Sequence, residues 1–217
     1  MGTLRIALLT VFIISGIASA QKPVFVFPFD GNAEPTGSIQ HKMIGELGFE
    51  TGVIGSAGTF KGSTSIEVND AKAFESPQFS ISAWACPEQE KCSGRIVEKG
   101  ASNSFWLTFY WGRARFGFWS RDEGYNEIDS GSKFKANEWR HVVGTFDGTE
   151  LRIYVDGKLE TTRVTSGRPT FNREPLVVGA KRDGIAADAF IGALDDVAFF
   201  DRALTQVEVT ELYSAAR

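Results

Sequence analysis

Two Asp-Gly steps nine residues apart constrain this chain more than any other feature. Asp147-Gly148 and Asp156-Gly157 stand in "WRHVVGTFDGTELRIYVDGKLE", between runs dominated by β-branched and aromatic residues. Asp-Gly tolerates the positive φ angles of tight hairpin turns, so the segment reads as consecutive antiparallel strands over 139–147 and 151–157, returning from Lys158. The same texture recurs along the chain. Short runs rich in Val, Ile, Phe, Tyr and Trp lie at 24–29, 65–68, 79–86, 95–100, 104–111, 113–120, 175–180 and 190–200, with Gly, Asn, Asp and Pro between them. That pattern predicts an all-β sandwich or barrel. In 79–86, Phe79, Ile81 and Ala83 take one face, and Ser80, Ser82 and Trp84 the other. Only the C-terminus reads as a short helix. Thr205 can cap it, with Glu208 completing a capping box and Leu204 and Val209 placed as a hydrophobic staple. Val209 and Leu212 share a face, which should pack on the sandwich.

Arg5 precedes the apolar stretch "IALLTVFIISGIA", and Ala18 and Ala20 follow in an A-x-A pattern. Residues 1–20 are therefore expected to be a signal peptide, with 21–217 as one domain. The expected location is secreted or extracytoplasmic. No other apolar run is long enough to span a bilayer, so no membrane insertion is expected after cleavage. The whole chain has 23 basic and 27 acidic residues, a net charge of −4. This gives no support to nucleic-acid binding, and no basic block suits an anionic membrane. Cys86 and Cys92 are the two cysteines. Export favours their oxidation to a disulfide, which across so short a loop would contribute about 2 kcal/mol. Their spacing, with no second Cys/His pair, does not suit zinc.

Four segments in order, "FPFDGN", "FSISAWACPE", "NEWRHVVGTFDGTELRIYVDGKLE" and "FIGALDDVAFFDRALTQVEV", together resemble the laminin-G-like jelly rolls of the concanavalin A-like lectin/glucanase superfamily. The resemblance implies a jelly-roll sandwich of two antiparallel sheets, one of them concave. It also implies that Trp139 and His141 begin a core strand, where alternation puts Trp139, His141 and Val143 on one face. No serine or cysteine nucleophile is evident beside His141, so it reads as structural. The glucanase branch carries a Glu-x-Asp-x-(x)-Glu strand. Here Glu127 and Asp129 have the right spacing, but Ser130, Gly131 and Ser132 follow, and Gly and Ser suit a loop. With half of the required carboxylate pair absent, no catalytic residues are assigned.

Asp195 and Asp196 interrupt the apolar run "FIGALDDVAFF". Alternation sends them to opposite faces, Asp195 with Val197 and Phe199, and Asp196 with Ala198 and Phe200. A buried, unpaired carboxylate would cost several kcal/mol. One solution is hydrogen bonding to backbone N–H groups or to Arg202. The other is Ca²⁺, a hard cation that takes oxygen ligands, with Asp30 and Asn32 of the first strand as further ligands. The resemblance implies calcium near these segments, although Glu34 stands where the family commonly has another aspartate. Both roles stay open.

The stretch "SFWLTFYWGRARFGFWS" divides by alternation. Phe105, Leu107, Phe109 and Trp111, with Phe116 and Phe118, form a core face. Trp106, Tyr110, Arg115 and Trp119 form an outer aromatic and cationic patch, unless residues 121–138 cover it. Such a patch can bind a ligand whose orientation Arg115 fixes. The sequence therefore points to non-catalytic recognition of a glycan or an extracellular protein. A glycoside hydrolase or lyase and a protein adhesion module are the alternatives.

Overall fold

A computed structural model of the chain describes residues 22–37, 39–69, 71–101, 103–180 and 188–216, so the expected signal peptide lies outside the described residues. In chain order the strands are β1 (Phe25–Phe27), β2 (His41–Ile44), β3 (Gly48–Thr51), β4 (Ser56–Lys61), β5 (Ser65–Val68), β6 (Phe79–Pro87), β7 (Gly94–Lys99), β8 (Phe105–Tyr110), β9 (Arg113–Ser120), β10 (Gly124–Asp129), β11 (Arg140–Phe146), β12 (Glu150–Val155), β13 (Lys158–Val164), β14 (Leu176–Val178) and β15 (Ile191–Phe200). One helix, α1 (Gln206–Ala215), follows. One sheet runs β13-β12-β11-β6-β15-β4-β3, with β1 also paired to β15. The other runs β10-β9-β8-β7-β14-β5-β2. All strand pairs within both sheets are antiparallel, as expected of the sandwich.

The facing sides of the two sheets close over a phenylalanine-rich core. Phe79 of β6 packs at 4.6 Å from Phe105 of β8, and Phe105 stacks at 5.4 Å on Phe199 of β15. Each fully buried Phe contributes roughly 1.5–3 kcal/mol. Gly144 of β11 makes room for the opposite layer, since a Cβ there would overlap the Phe116 ring.

The hairpin signals operate as expected. Asp156 (φ 49°) and Gly157 (φ 75°) form the two-residue turn between β12 and β13. Asp147 accepts hydrogen bonds from the backbone N–H groups of Thr149 (2.9 Å) and Glu150 (2.8 Å), closing the β11–β12 turn. The helix also follows its signals. Thr205 and Glu208 form the capping box, and Leu204 and Val209 are buried with Val143, Tyr154 and Phe200. Leu212 departs from expectation and is 37% exposed. Tyr213 makes the contact instead, stacking at 5.6 Å on Trp84 of β6.

Two local expectations are corrected. Residues 124–129 are strand β10, not loop: Asn126 and Ile128 are buried, while Tyr125, Glu127 and Asp129 face outward. Alternation also fails at the aspartate pair. Asp195 lies opposite Trp84 and Ala198 opposite Ser82, so β15 carries one extra residue there, a β-bulge at Asp196 (φ 46°). Asp195 therefore sits on the outer, helix-facing side with Trp84, and not with Val197 and Phe199.

Candidate functional site

The outer face of the seven-stranded sheet carries an open cavity of about 320 Å³. Its walls include Trp106, Thr108 and Tyr110 of β8, Arg115 of β9, and Tyr125 and Glu127 of β10. Cross-strand register brings these together: Trp106 lies opposite Gly117, and Gly117 lies opposite Glu127. Gly117 contributes no side chain to this face, which leaves a hollow between its neighbours. Arg115 is held in place from three sides. Its Nε and Nη2 donate to Asp129 Oδ1 (2.6 Å) and Oδ2 (2.9 Å), and its Nη1 donates to Glu127 Oε1 (2.8 Å). Its guanidinium also lies 3.9 Å from the centre of the Tyr110 ring. The hydrogen bonds to Asp129 raise the affinity of this guanidinium for its proton. The pair that spacing matched to the glucanase motif thus serves one cation.

Three of the four expected patch residues line this cavity, at different depths. Tyr110 is 45% exposed and Arg115 half-buried, but Trp106 is only 1% exposed. The edge of Tyr125 covers it at a centroid distance of 5.7 Å. The buried Trp106 Nε1–H has no acceptor among the described residues. Trp119 lies at the far side of Tyr125, edge-on at 5.0 Å, and lines a second cavity. Tyr125 itself is 58% exposed, and it escapes an expectation of loop over its segment. The period-two pattern of "YNEID" is the signal that finds it.

The aspartate pair occupies the place where β15 changes partners. Residues 191–194 pair with β4, whereas 197–199 pair with β1. Between them Asp195 Oδ2 accepts the N–H groups of Val53 (2.8 Å) and Ile54 (3.1 Å). Asp30 Oδ1 accepts the Ser56 N–H at 3.0 Å. Asp195 Oδ1 is buried and has no hydrogen-bond partner among the described residues. Burial, opposed by these backbone bonds and reinforced by Asp30, pushes the Asp195 carboxyl up to about 6. Burial, with repulsion from Asp195 and Asp30, pushes Asp196 to about 7. Arg202 is engaged elsewhere, with Glu208 (2.7 Å and 3.0 Å). Asn32 turns its Oδ1 onto the Glu34 N–H at 2.9 Å. Among the described residues no group of three or more His, Cys, Asp or Glu side chains is arranged to hold a metal. What fits a cation here is the orphaned Asp195 oxygen and the crowding of carboxylates around it.

The expected disulfide is not formed: Cys86 and Cys92 are free thiols. Alternation in β6 places Cys86 on the outer side with Ser82 and Trp84, while Cys92 packs against the inner core. The two thus lie on opposite sides of the strand. Burial pushes both thiols up to about 11.

His141 does have a serine neighbour. Ser82 Oγ lies 2.9 Å from its Nε2, and both residues are buried, at 3% and 2% exposure. His141 Nδ1 has no hydrogen-bond partner among the described residues. The Trp84 ring (5.1 Å) and the Tyr213 ring of α1 (6.2 Å) flank the imidazole. Among the described residues the pair has no orienting third member, and it lies in the packing between sheet and helix.

Solved structures of low identity share this fold. The binding domain of paraclostridial mosquitocidal protein 1 matches with a TM-score of 0.73 at 17% identity, over 89% of this chain and 52% of that one. Domain 4 of AbnA, an extracellular GH43 arabinanase from Geobacillus stearothermophilus solved with arabinotriose, matches with 0.72 at 19% identity, over 88% and 98%. The binding domain of botulinum neurotoxin DC, solved with SialylT, matches with 0.68 at 13% identity, over 89% and 50%. This chain thus spans about half the length of the two toxin domains. No curated protein matches it significantly. The sequence profile described as concanavalin A-like lectin/glucanases superfamily (Laminin_G_3) matches residues 60–210. With that match covering most of its length and the sandwich built as above, the chain belongs to the concanavalin A-like lectin/glucanases superfamily.

Proposed function

We propose that the chain is a secreted, non-catalytic binding module that seats a glycan on the outer face of its seven-stranded sheet. One observation carries this reading: a cavity flanked by two exposed tyrosines, Tyr110 and Tyr125, with a buried indole N–H in its wall that lacks an acceptor. Its volume, about 320 Å³, suits a small ligand or one or two sugar rings. Aromatic faces supply apolar contact area, and Arg115 supplies fixed polar geometry, the mixture that orients a polyhydroxyl ligand. Two neighbours in fold, the arabinanase domain and the neurotoxin DC domain, are described with bound saccharides, which supports the glycan class. A glycosidase needs one carboxyl free to act as acid, whereas Asp129 commits both oxygens and Glu127 its Oε1 to Arg115. Among the described residues no helix is long and apolar enough to cross a membrane.

The test is calorimetric titration with linear arabino-, xylo- and cello-oligosaccharides, and with sialylated glycans. Wild type should bind at least one series, and Tyr110→Ala or Tyr125→Ala should weaken binding about tenfold, the worth of one lost aromatic contact. Equal binding by the variants, or release of reducing sugar, overturns the reading. Binding only to a protein partner would favour the adhesion alternative.

We also propose a structural Ca²⁺ bound at Asp195 Oδ1, its charge balanced by the neighbouring Asp30 and Asp196 and its oxygen shell completed by backbone carbonyls and water. The ion would neutralise the crowded carboxylates and satisfy Asp195 Oδ1. Since a ligand bound only by the native state stabilises it, thermal melts should rise in Ca²⁺ relative to chelator. Identical melts would rule out an ion of useful affinity.

A further inference from the structure

We infer that the ligand of this face is a linear oligosaccharide of several rings, running along β9 from the first cavity into a second subsite built on Trp119, Arg121 and the 170–174 segment. The inference rests on the glycan reading of the first cavity and goes beyond it to the length and direction of the ligand.

The second cavity is the larger of the two, about 550 Å³. Trp119 and Phe171 supply aromatic surface to it, and Arg121, Asn103, Asn172 and Glu174 supply polar groups. Its wall is built from within. Lys99, fully buried, donates Nζ to the Asn172 carbonyl (2.8 Å) and to Asn172 Oδ1 (3.0 Å), and also to the Glu174 carbonyl. Asn172 Oδ1 accepts a further bond from the Glu174 N–H at 3.1 Å. Both acceptor sites of that amide are thereby used, and its Nδ2 remains a donor with no partner among the described residues. The Thr170 N–H donates to the Trp119 carbonyl at 3.0 Å. That bond fixes the segment carrying Phe171 and Asn172 against the strand carrying Trp119.

Arg121 is the second independent sign. Its side chain is exposed, lines this cavity and a smaller adjoining one, and makes no hydrogen bond or ion pair with any described residue. Arg115, by contrast, is satisfied three times over. A site with two aromatic faces, several idle donors and one carboxylate matches ring oxygens, which only accept, and ring hydroxyls, each with two acceptor lone pairs and one donor.

The two cavities adjoin. Tyr125 lines the first and Trp119 the second, and the edge-on contact between them at 5.0 Å is the shared wall. The span is set by the strand. Arg115 and Arg121 are six residues apart on one strand and its turn, about 20 Å at 3.3–3.4 Å per residue. One sugar ring does not bridge that distance, but a linear chain of several does.

The experiment is calorimetric titration of the full chain with disaccharides through hexasaccharides of whichever linear series binds. Wild-type affinity should rise about tenfold from the disaccharide to the hexasaccharide, the gain expected from one further stacked and hydrogen-bonded ring. Arg121→Ala should abolish that rise while leaving disaccharide affinity within about twofold, and Trp119→Ala should abolish the rise as well. Arg121 holds no other residue, so its loss leaves the fold intact, and Trp119→Phe should retain most of the gain. A flat length dependence in wild type, or an undiminished one in both variants, overturns the second subsite while the first stands. Failure of every chain length to bind overturns the glycan reading and this inference together.

Discussion

Acidification should loosen this fold through one buried imidazole, and the size of the effect can be worked out. His141 is 2% exposed, its Nε2 is bonded to Ser82 and its Nδ1 has no hydrogen-bond partner among the described residues. Burial lowers it from 6.5 to about 4, with Asp156 opposing. Asp156 gives little relief, because its carboxylate is already bound to Arg140 Nε (2.6 Å) and to the His141 backbone N–H (3.0 Å). Tyr213 of α1 faces the ring from the helix and offers a stacked surface in place of a charge. The folded value lies below the unfolded one, so the unfolded chain binds more protons between about 4 and 6.5. Stability from this group is therefore complete above pH 6.5 and is lost as pH falls toward 4. The gap corresponds to about 3 kcal/mol. Asp195 and Asp196, pushed up to about 6 and about 7, act in the opposite sense and add stability as pH falls through their folded values. A wild-type curve alone would mix the two, so the comparison is with His141→Gln, whose amide reaches toward Ser82 without titrating. Urea unfolding of both proteins at pH 7 and pH 4 should show wild type losing about 3 kcal/mol more than the variant. Parallel curves would refute the buried neutral imidazole.

Three further outcomes follow from the same geometry. Asp195→Asn should remove most of the melting-temperature difference between calcium and chelator, and an undiminished difference would place the ion elsewhere. Gly144→Ala should cost about 1–3 kcal/mol in denaturant unfolding, because the added methyl meets the Phe116 ring, and a neutral result would show that the two layers can separate freely. Reductant should leave the melting curve unchanged, and alkylation without reductant should label both Cys86 and Cys92 once the protein is unfolded. A bridge resistant to alkylation would reverse the free-thiol assignment.

Much of the fold was legible because it rests on local chemistry. Asp156 and Gly157 adopt positive φ in their turn, and Thr205 caps its helix, each for reasons that act within a few residues. The errors fall where a local pattern was extended too far. Alternation carried through Asp195 and Asp196 puts Asp195 on the wrong side, since a single extra residue resets the period. That residue is needed because β15 trades β4 for β1 at this point, an event in other strands that the run "LDDV" does not record. The cysteine pairing failed in a related way. Export favours a bridge, whereas the alternation of β6 sends Cys86 away from the core that holds Cys92.

The binding face was legible in its direction and illegible in its depth. Alternation along β8 and β9 puts Trp106, Tyr110, Arg115 and Trp119 on one side, and cross-strand register keeps them there. Which of them meets solvent depends on the neighbouring strand. Tyr125 of β10 covers Trp106 and exposes itself, so the aromatic surface offered to a ligand is Tyr110 together with a tyrosine from a segment whose Gly and Ser suit a loop. The hollow arises from a missing side chain. Gly117 lies between Trp106 and Glu127 in register, and a Cβ there would come within 2.7 Å of the Glu127 Cβ. Any larger residue would push β10 outward and fill the floor of the first cavity. The glycine therefore permits the close approach of β9 and β10 and the recess between their side chains. The face can receive a ring at that recess because its middle position carries nothing at all.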